Sequence, residues 1–126
     1  MKHILILEDM PYVIEGLIRE IRDLESELNE KFEIYTYTTS REVKQIVNQQ
    51  PAGSYDVIIL DRNAPDGSFH ELDIAKFGPG KVISISSIDS FNENMKIQGV
   101  EHTAHKRHDQ LELFFAQVRE AVEEIL

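Results

Sequence analysis

Two apolar runs constrain this fold most strongly, Ile4-Leu5-Ile6-Leu7 and Tyr55-Asp56-Val57-Ile58-Ile59-Leu60. Each stops at carboxylates, Glu8-Asp9 after the first and Asp61 after the second. Runs this rich in Val, Ile and Leu, without polar alternation, suit strands covered on both faces in a parallel sheet. Parallel strands end on one shared edge. Neighbouring strands would therefore bring Glu8, Asp9 and Asp61 into the crevice beyond their carboxyl ends, where open α/β sheets bind ligands. Three carboxylates in one crevice repel one another, which calls for a cation, a raised pKa or both.

The rest of the chain supplies the elements such a sheet requires. Met10-Pro11 opens a helix with Ile14, Leu17, Ile18, Ile21, Leu24 and Leu28 at helical spacing. Phe32 to Tyr37 reads as a strand. Thr39 with Glu42 is a capping-box pattern, and Val43, Ile46 and Val47 stripe a short helix before Gln50-Pro51-Ala52-Gly53. Asn63-Ala64-Pro65-Asp66-Gly67 is turn chemistry, and Ser68 to Lys76 has only a weak helical pattern before Gly78-Pro79-Gly80. Val82 to Ile85 predicts a fourth strand ending at Ser86-Ser87. Ser90 with Glu93 predicts the cap of a helix that stops at Gly99. Val100 to His105 predicts a short fifth strand. Asp109 with Glu112 predicts the cap of a last helix striped by Leu111, Phe114, Phe115, Val118, Val122 and Ile125. Strand and helix alternate five times, which predicts an α/β fold: a doubly wound five-stranded parallel sheet with helices on both faces.

With 126 residues, 41% of them apolar, the chain has material for one packed core, so a single domain over 1–126 is expected. The formal charge of −10 disfavours direct binding to nucleic acid or to an anionic membrane, since phosphates would be repelled. Cysteine is absent, which rules out disulfides and thiolate metal sites. The first apolar run is too short for a signal peptide or membrane span, so a cytoplasmic location is expected.

The predicted strand ends carry Glu8-Asp9, Asp61, Ser86-Ser87 and Lys106. Mg²⁺ suits such an edge, because it takes one or two carboxylates, keeps several waters and completes its octahedron with phosphate oxygens. Asp61 then reads as a nucleophile toward a phosphoryl group, with Lys106 neutralising charge and the Ser86 hydroxyl bonding a phosphoryl oxygen. Singly, each residue has a blander reading. A strand-end Asp caps helices and forms turns, and Glu8-Asp9 also favours the positive end of the first helix. Their joint placement on one edge favours the chemical reading. His70, His102, His105 and His108 read as solvated residues, since His102 and His105 point to opposite faces of a strand. Asp23, Glu25, Glu27 and Glu30 read as a solvated helix face, and Phe91 with Met95 as a packing pair.

In their order and placement these residues resemble the receiver domain of two-component response regulators, over the whole chain. The acidic pair is matched by Glu8 and Asp9, the phosphoacceptor by Asp61, the switch hydroxyl by Ser86 with Ser87 next to it, and the lysine by Lys106. Pro65, four residues past Asp61, also sits where the family commonly has proline. The resemblance implies a flavodoxin-like receiver fold and Mg²⁺ bound by Asp9, Asp61 and the Asn63 carbonyl, with Glu8 acting directly or through water. It implies a phosphoacceptor that assists its own phosphorylation and dephosphorylation rather than an enzyme. The phosphoryl donor would be a histidine kinase or phosphotransfer protein, and the output an altered interaction with a downstream protein. A stand-alone receiver, monomeric or weakly dimeric, is expected.

Three departures from the family pattern stand out. The stretch from Asp61 to Ser86 is short, which predicts a third helix that is stunted or remodelled. Arg107 replaces the proline that usually follows the lysine, and Thr103 replaces the aromatic switch residue. These departures motivate an alternative, a receiver-like scaffold that binds its partner independently of phosphorylation. Two enzymatic readings fit less well. A flavin carrier wants a phosphate loop where Glu8-Asp9-Met10-Pro11 stands, and a dehalogenase-like phosphohydrolase wants an aspartate at Asn63.

Overall fold

The computed structural model describes all residues from Met1 to Leu126. Five parallel strands form one sheet: β1 (Lys2–Leu7), β2 (Phe32–Tyr37), β3 (Val57–Leu60), β6 (Val82–Ser86) and β7 (His102–His105), in the order β2-β1-β3-β6-β7. The two remaining strands, β4 (Asn63–Ala64) and β5 (Gly67–Ser68), form a separate antiparallel hairpin. Helices α1 (Pro11–Leu28), α2 (Ser40–Gln45), α3 (Ile74–Phe77), α4 (Asp89–Ile97) and α5 (Leu111–Ile125) complete the chain. This is the doubly wound architecture expected from the alternation.

The unalternating runs are explained by two cores, one on each sheet face. Ile4, Ile6, Val57, Ile59, Ile83 and Ile85 pack with Leu17, Leu24, Phe114, Phe115 and Val118 of α1 and α5. Leu5, Leu7, Ile58, Leu60 and Val82 turn the other way, toward Val43, Val47, Phe69, Phe77 and Met95. Successive strand residues point to opposite faces, so a strand covered on both sides is apolar throughout. Where α1 and α5 meet, Gly16 takes the Phe115 ring against its backbone; a Cβ there would lie 2.0 Å from Phe115 Cζ.

The region after Asp61 is remodelled. In place of a long third helix, the chain makes the β4–β5 hairpin, a 3₁₀ turn at Phe69–Glu71, the four-residue α3 and a 3₁₀ turn at Pro79–Lys81. The hairpin is docked on α2: Asp66 accepts from the Ser40 and Arg41 amides, at 2.7 and 3.0 Å. The Ser40 amide bond is the main cause that holds the Asp66 carboxyl below the usual range. Thr39 caps α2 as its sequence predicts, with Oγ1 accepting from Glu42 N at 3.3 Å.

Several local expectations are corrected. The Ser90–Glu93 box does not form, because α4 starts at Asp89 behind Ile88, whose amide donates to Ser86 Oγ at 3.1 Å. Asp109 does not cap α5; Gln110 precedes the helix without a side-chain bond, and Asp109 sits 3.8 Å from Arg107 Nε. Ile46 lies outside the core and is exposed, since α2 gives way there to a 3₁₀ turn at Val47–Gln49. The acidic face of α1 is not simply solvated. Glu25 accepts from Phe32 N at 2.6 Å, and Arg119 of α5 gathers Glu20, Glu27 and Glu123.

Candidate functional site

The strand register sets the site. Beyond the last paired residues of β1 and β3, Glu8 N donates to Tyr37 O and Asp61 N donates to Leu7 O. The ladder thus continues one step and places both carboxylates at the carboxyl edge. Strand order reverses between β1 and β3, and crevices at such reversals are where this class of sheet binds ligands. On the other side of β3, Lys106 N donates to Ser86 O at 2.9 Å, which carries Lys106 just past β7.

Lys106 then reaches across the edge. Its Nζ donates to Glu8 Oε2 and to Asp61 Oδ2, both at 3.0 Å. All three groups are withdrawn from water: Glu8 is 0%, Lys106 3% and Asp61 6% exposed. Glu8 Oε1 also accepts from Met10 N at 3.1 Å, at the start of α1. Asp9 is half-buried, and one oxygen from each of Glu8, Asp9 and Asp61 lies within 4.8 Å of the others. Ser86 is buried beside them, and because its Oγ accepts from Ile88 N, the hydroxyl proton is available to a further acceptor.

Three carboxylates face one ammonium. Burial first, and the Asp61 charge second, push the Glu8 carboxyl from its usual 4.5 up to about 7, against the pull of Lys106. For Lys106, burial favours the neutral amine, but the attraction of Glu8 and Asp61 outweighs it and raises its pKa. The pocket is short of positive charge. Hard carboxylate oxygens with a solvent-reaching member, Asp9, are the donor set that suits Mg²⁺.

No protein-family model matches the chain. No curated protein matches it either. Solved structures do match over essentially its full length. The response regulator TrrA from Thermotoga maritima, in complex with Mg²⁺-BeF, is 25% identical, with a TM-score of 0.69 and coverage of 100% of both chains. The chain has the fold of a response-regulator receiver domain. The phosphorylated cyanobacterial phytochrome response regulator RcpA is 20% identical, with a TM-score of 0.67 over 98% of this chain and 91% of that one. The bacteriophytochrome response regulator AtBRR is 16% identical, with a TM-score of 0.67 over 99% and 92%. The receiver fold supports a role in two-component signalling.

On this fold, the predicted site residues Glu8, Asp9, Asp61, Ser86 and Lys106 lie on one edge. Asn63 begins the hairpin, and its side chain accepts from Arg62 Nη1 at 3.2 Å. Thr103 is half-buried on β7 with no ring to move, and the Lys106–Arg107 peptide is trans. His102 and His105 sit on opposite sides of β7, His102 Nδ1 at 3.4 Å from Glu124 of α5 and His105 against Asp89 of α4.

Two neighbours of the site escaped the sequence reading. Arg62 lays its guanidinium on the Phe91 ring, 3.8 Å from the centroid. Of the expected packing pair, only Met95 enters the core, while Phe91 stays partly exposed beneath Arg62. His70, expected in solvent, has a buried Nε2 with no partner. Burial first, and then the Arg62 charge, bring its pKa down to about 4, against the pull of Asp61. No spacing rule reveals either feature, because each depends on how elements distant in sequence pack.

Proposed function

We propose that this protein is a two-component receiver that accepts a phosphoryl group on Asp61 and signals by changing a protein–protein interaction. The observation that carries this reading is Lys106 bridging Glu8 and Asp61 in a buried pocket beside Asp9. Glu8, Asp9, Asp61 and the Asn63 carbonyl would hold Mg²⁺. When bound, that ion supplies positive charge against the phosphoryl oxygens. An unprotonated Asp61 oxygen forms a new bond to phosphorus. The donor's P–N bond breaks if the donor is a phosphohistidine, or its P–O bond if it is acetyl phosphate. The electron pair leaves with the donor fragment, and a proton from solvent joins the imidazole. Lys106 stands within hydrogen-bonding reach of Asp61 and offsets the charge that develops. The Ser86 hydroxyl can donate to a phosphoryl oxygen, and because its Oγ already accepts from Ile88 N ahead of α4, that bond links β6 and α4 to the modification.

The donor is a histidine kinase or phosphotransfer protein, and the output partner reads the surface around α4, β6 and β7. The protein acts as a phosphoacceptor that assists its own phosphorylation and dephosphorylation. Incubation with acetyl phosphate and Mg²⁺, followed by intact mass, tests this. The wild type should gain one phosphoryl group and Asp61→Ala none. An adduct that survives in Asp61→Ala would overturn the assignment. A wild type that accepts nothing from acetyl phosphate or from candidate kinases would favour the phosphorylation-independent scaffold.

A further inference from the structure

Arg62 follows the proposed phosphoacceptor directly, yet its charge is not spent on a carboxylate. Its side-chain partners are the Phe91 face, 3.8 Å from guanidinium carbon to ring centroid, and Asn63 Oδ1 at 3.2 Å. A guanidinium has five N–H donors, so most of the fork is unused. The Arg62 main chain is held firmly, its carbonyl accepting from Phe69 N at 2.8 Å and Ser68 Oγ at 2.9 Å. A fixed backbone thus carries a cation that only a ring and a neutral amide retain.

The ring belongs to a sparsely anchored helix. Only Asn92 and Met95 of α4 are buried. Asn92 ties the helix to the sheet by accepting from Ser84 Oγ at 2.7 Å and donating to Ala104 O at 3.3 Å. Phe91 under Arg62 is a further link, and it joins α4 to the residue after Asp61. Strand β7 has Thr103 and no Phe, Tyr or Trp, so Phe91 is the ring placed to report on the site.

We propose that Arg62 is a second phosphoryl-binding cation, stored on the Phe91 ring in the unmodified protein, and that its transfer to the phosphoryl group frees α4. The proposal rests on phosphorylation of Asp61. A phosphoryl group brings up to two negative charges and three acceptor oxygens, and a guanidinium matches such oxygens with two parallel bonds. A ring offers only its quadrupole. Lys106, already divided between Glu8 and Asp61, leaves phosphoryl charge for a second cation to meet. The partner surface exposed by the change is the outer face of α4, where Ile97 is already 84% exposed.

The test combines intact mass, to measure phosphoryl uptake, with amide hydrogen exchange across Asn92–Ile97 in the same samples treated with acetyl phosphate and Mg²⁺. In the phosphorylated wild type, α4 exchange should rise about fivefold, the scale set by losing one cation–ring contact. Phe91→Leu keeps an apolar side chain but no ring; it should accept phosphoryl and exchange fast in both states. Arg62→Ala should likewise exchange fast before modification and show no further step in its phosphorylated fraction. Arg62→Lys, with charge but no fork, should give a reduced step. A wild-type-sized step in either Arg62→Ala or Phe91→Leu would overturn the proposal while leaving Asp61 as acceptor. Absence of uptake in the wild type would overturn both, and the mass record separates the two failures.

Discussion

Lys106 concentrates the energetics of the site in one side chain, because it is the common hydrogen-bond partner of two buried carboxylates. Breaking a buried ion pair from one side costs about 3 to 5 kcal/mol, since the other charge stays desolvated. Lys106→Met should therefore lower the urea unfolding free energy of the metal-free protein by about 3 kcal/mol at neutral pH. Adding Glu8→Gln in the same background should recover part of that loss; no recovery would show that Glu8 is not the strained partner. His70 gives a pH signature. Its pKa falls from 6.5 to about 4 in the folded chain, so between those values the unfolded state binds more protons. Stability rises with pH through this window: it is complete above the unfolded value and lost on acidification toward the folded one. His70→Leu should flatten this slope in urea melts between pH 4 and 6.5. An unchanged slope would move the acid sensitivity elsewhere.

At the scale of elements, the α1–α5 contact depends on a missing side chain. Gly→Ala inside a helix ordinarily gains about 1 kcal/mol. At Gly16 the new Cβ would meet Phe115 at 2.0 Å, and overpacking costs about 1 to 3 kcal/mol. The clash should win, so Gly16→Ala destabilises, whereas in a Phe115→Leu background the same change becomes neutral or stabilising. Chemical denaturation of the four variants measures this coupling. Element identity was legible where periodicity was strong, as in α1, α5 and the buried strands. Cap position was legible at Thr39 of α2 but not further on: Ser90 and Asp109 carry cap chemistry, but where α4 and α5 begin is decided by how the chain leaves β6 and β7. The stunted α3 was expected from the short spacing, but the hairpin docked through Asp66 was not. Its bonds to Ser40 and Arg41 span more than twenty residues, and local propensity says nothing about them.

For the molecule as a whole, the acidic pocket should couple metal binding to stability. A ligand that binds only the folded state at a hundred times its dissociation constant adds about 2.7 kcal/mol, worth roughly 5 to 15 °C in a domain of this size. Saturating Mg²⁺ should raise the thermal midpoint by several degrees, EDTA should reverse the gain, and Asp9→Asn should remove most of it. A full shift in Asp9→Asn would exclude Asp9 as a ligand. No helix is long and apolar enough to cross a membrane.

The sequence by itself determined the sheet, the edge and the residues that stand on it. Apolar runs without alternation can be buried on both faces only in a covered parallel sheet, and such strands end together, so Glu8, Asp9, Asp61, Ser86 and Lys106 were bound to share one edge. Only the tertiary structure decided how the charges are divided and what surrounds them. Lys106 chooses Glu8 and Asp61 because register and burial bring those oxygens within reach. Arg62 meets Phe91 of α4, and His70 Nε2 is buried, only once elements distant in sequence have packed together. Such contacts join residues with no periodic relation, and they arise from close packing rather than from any local preference of the chain.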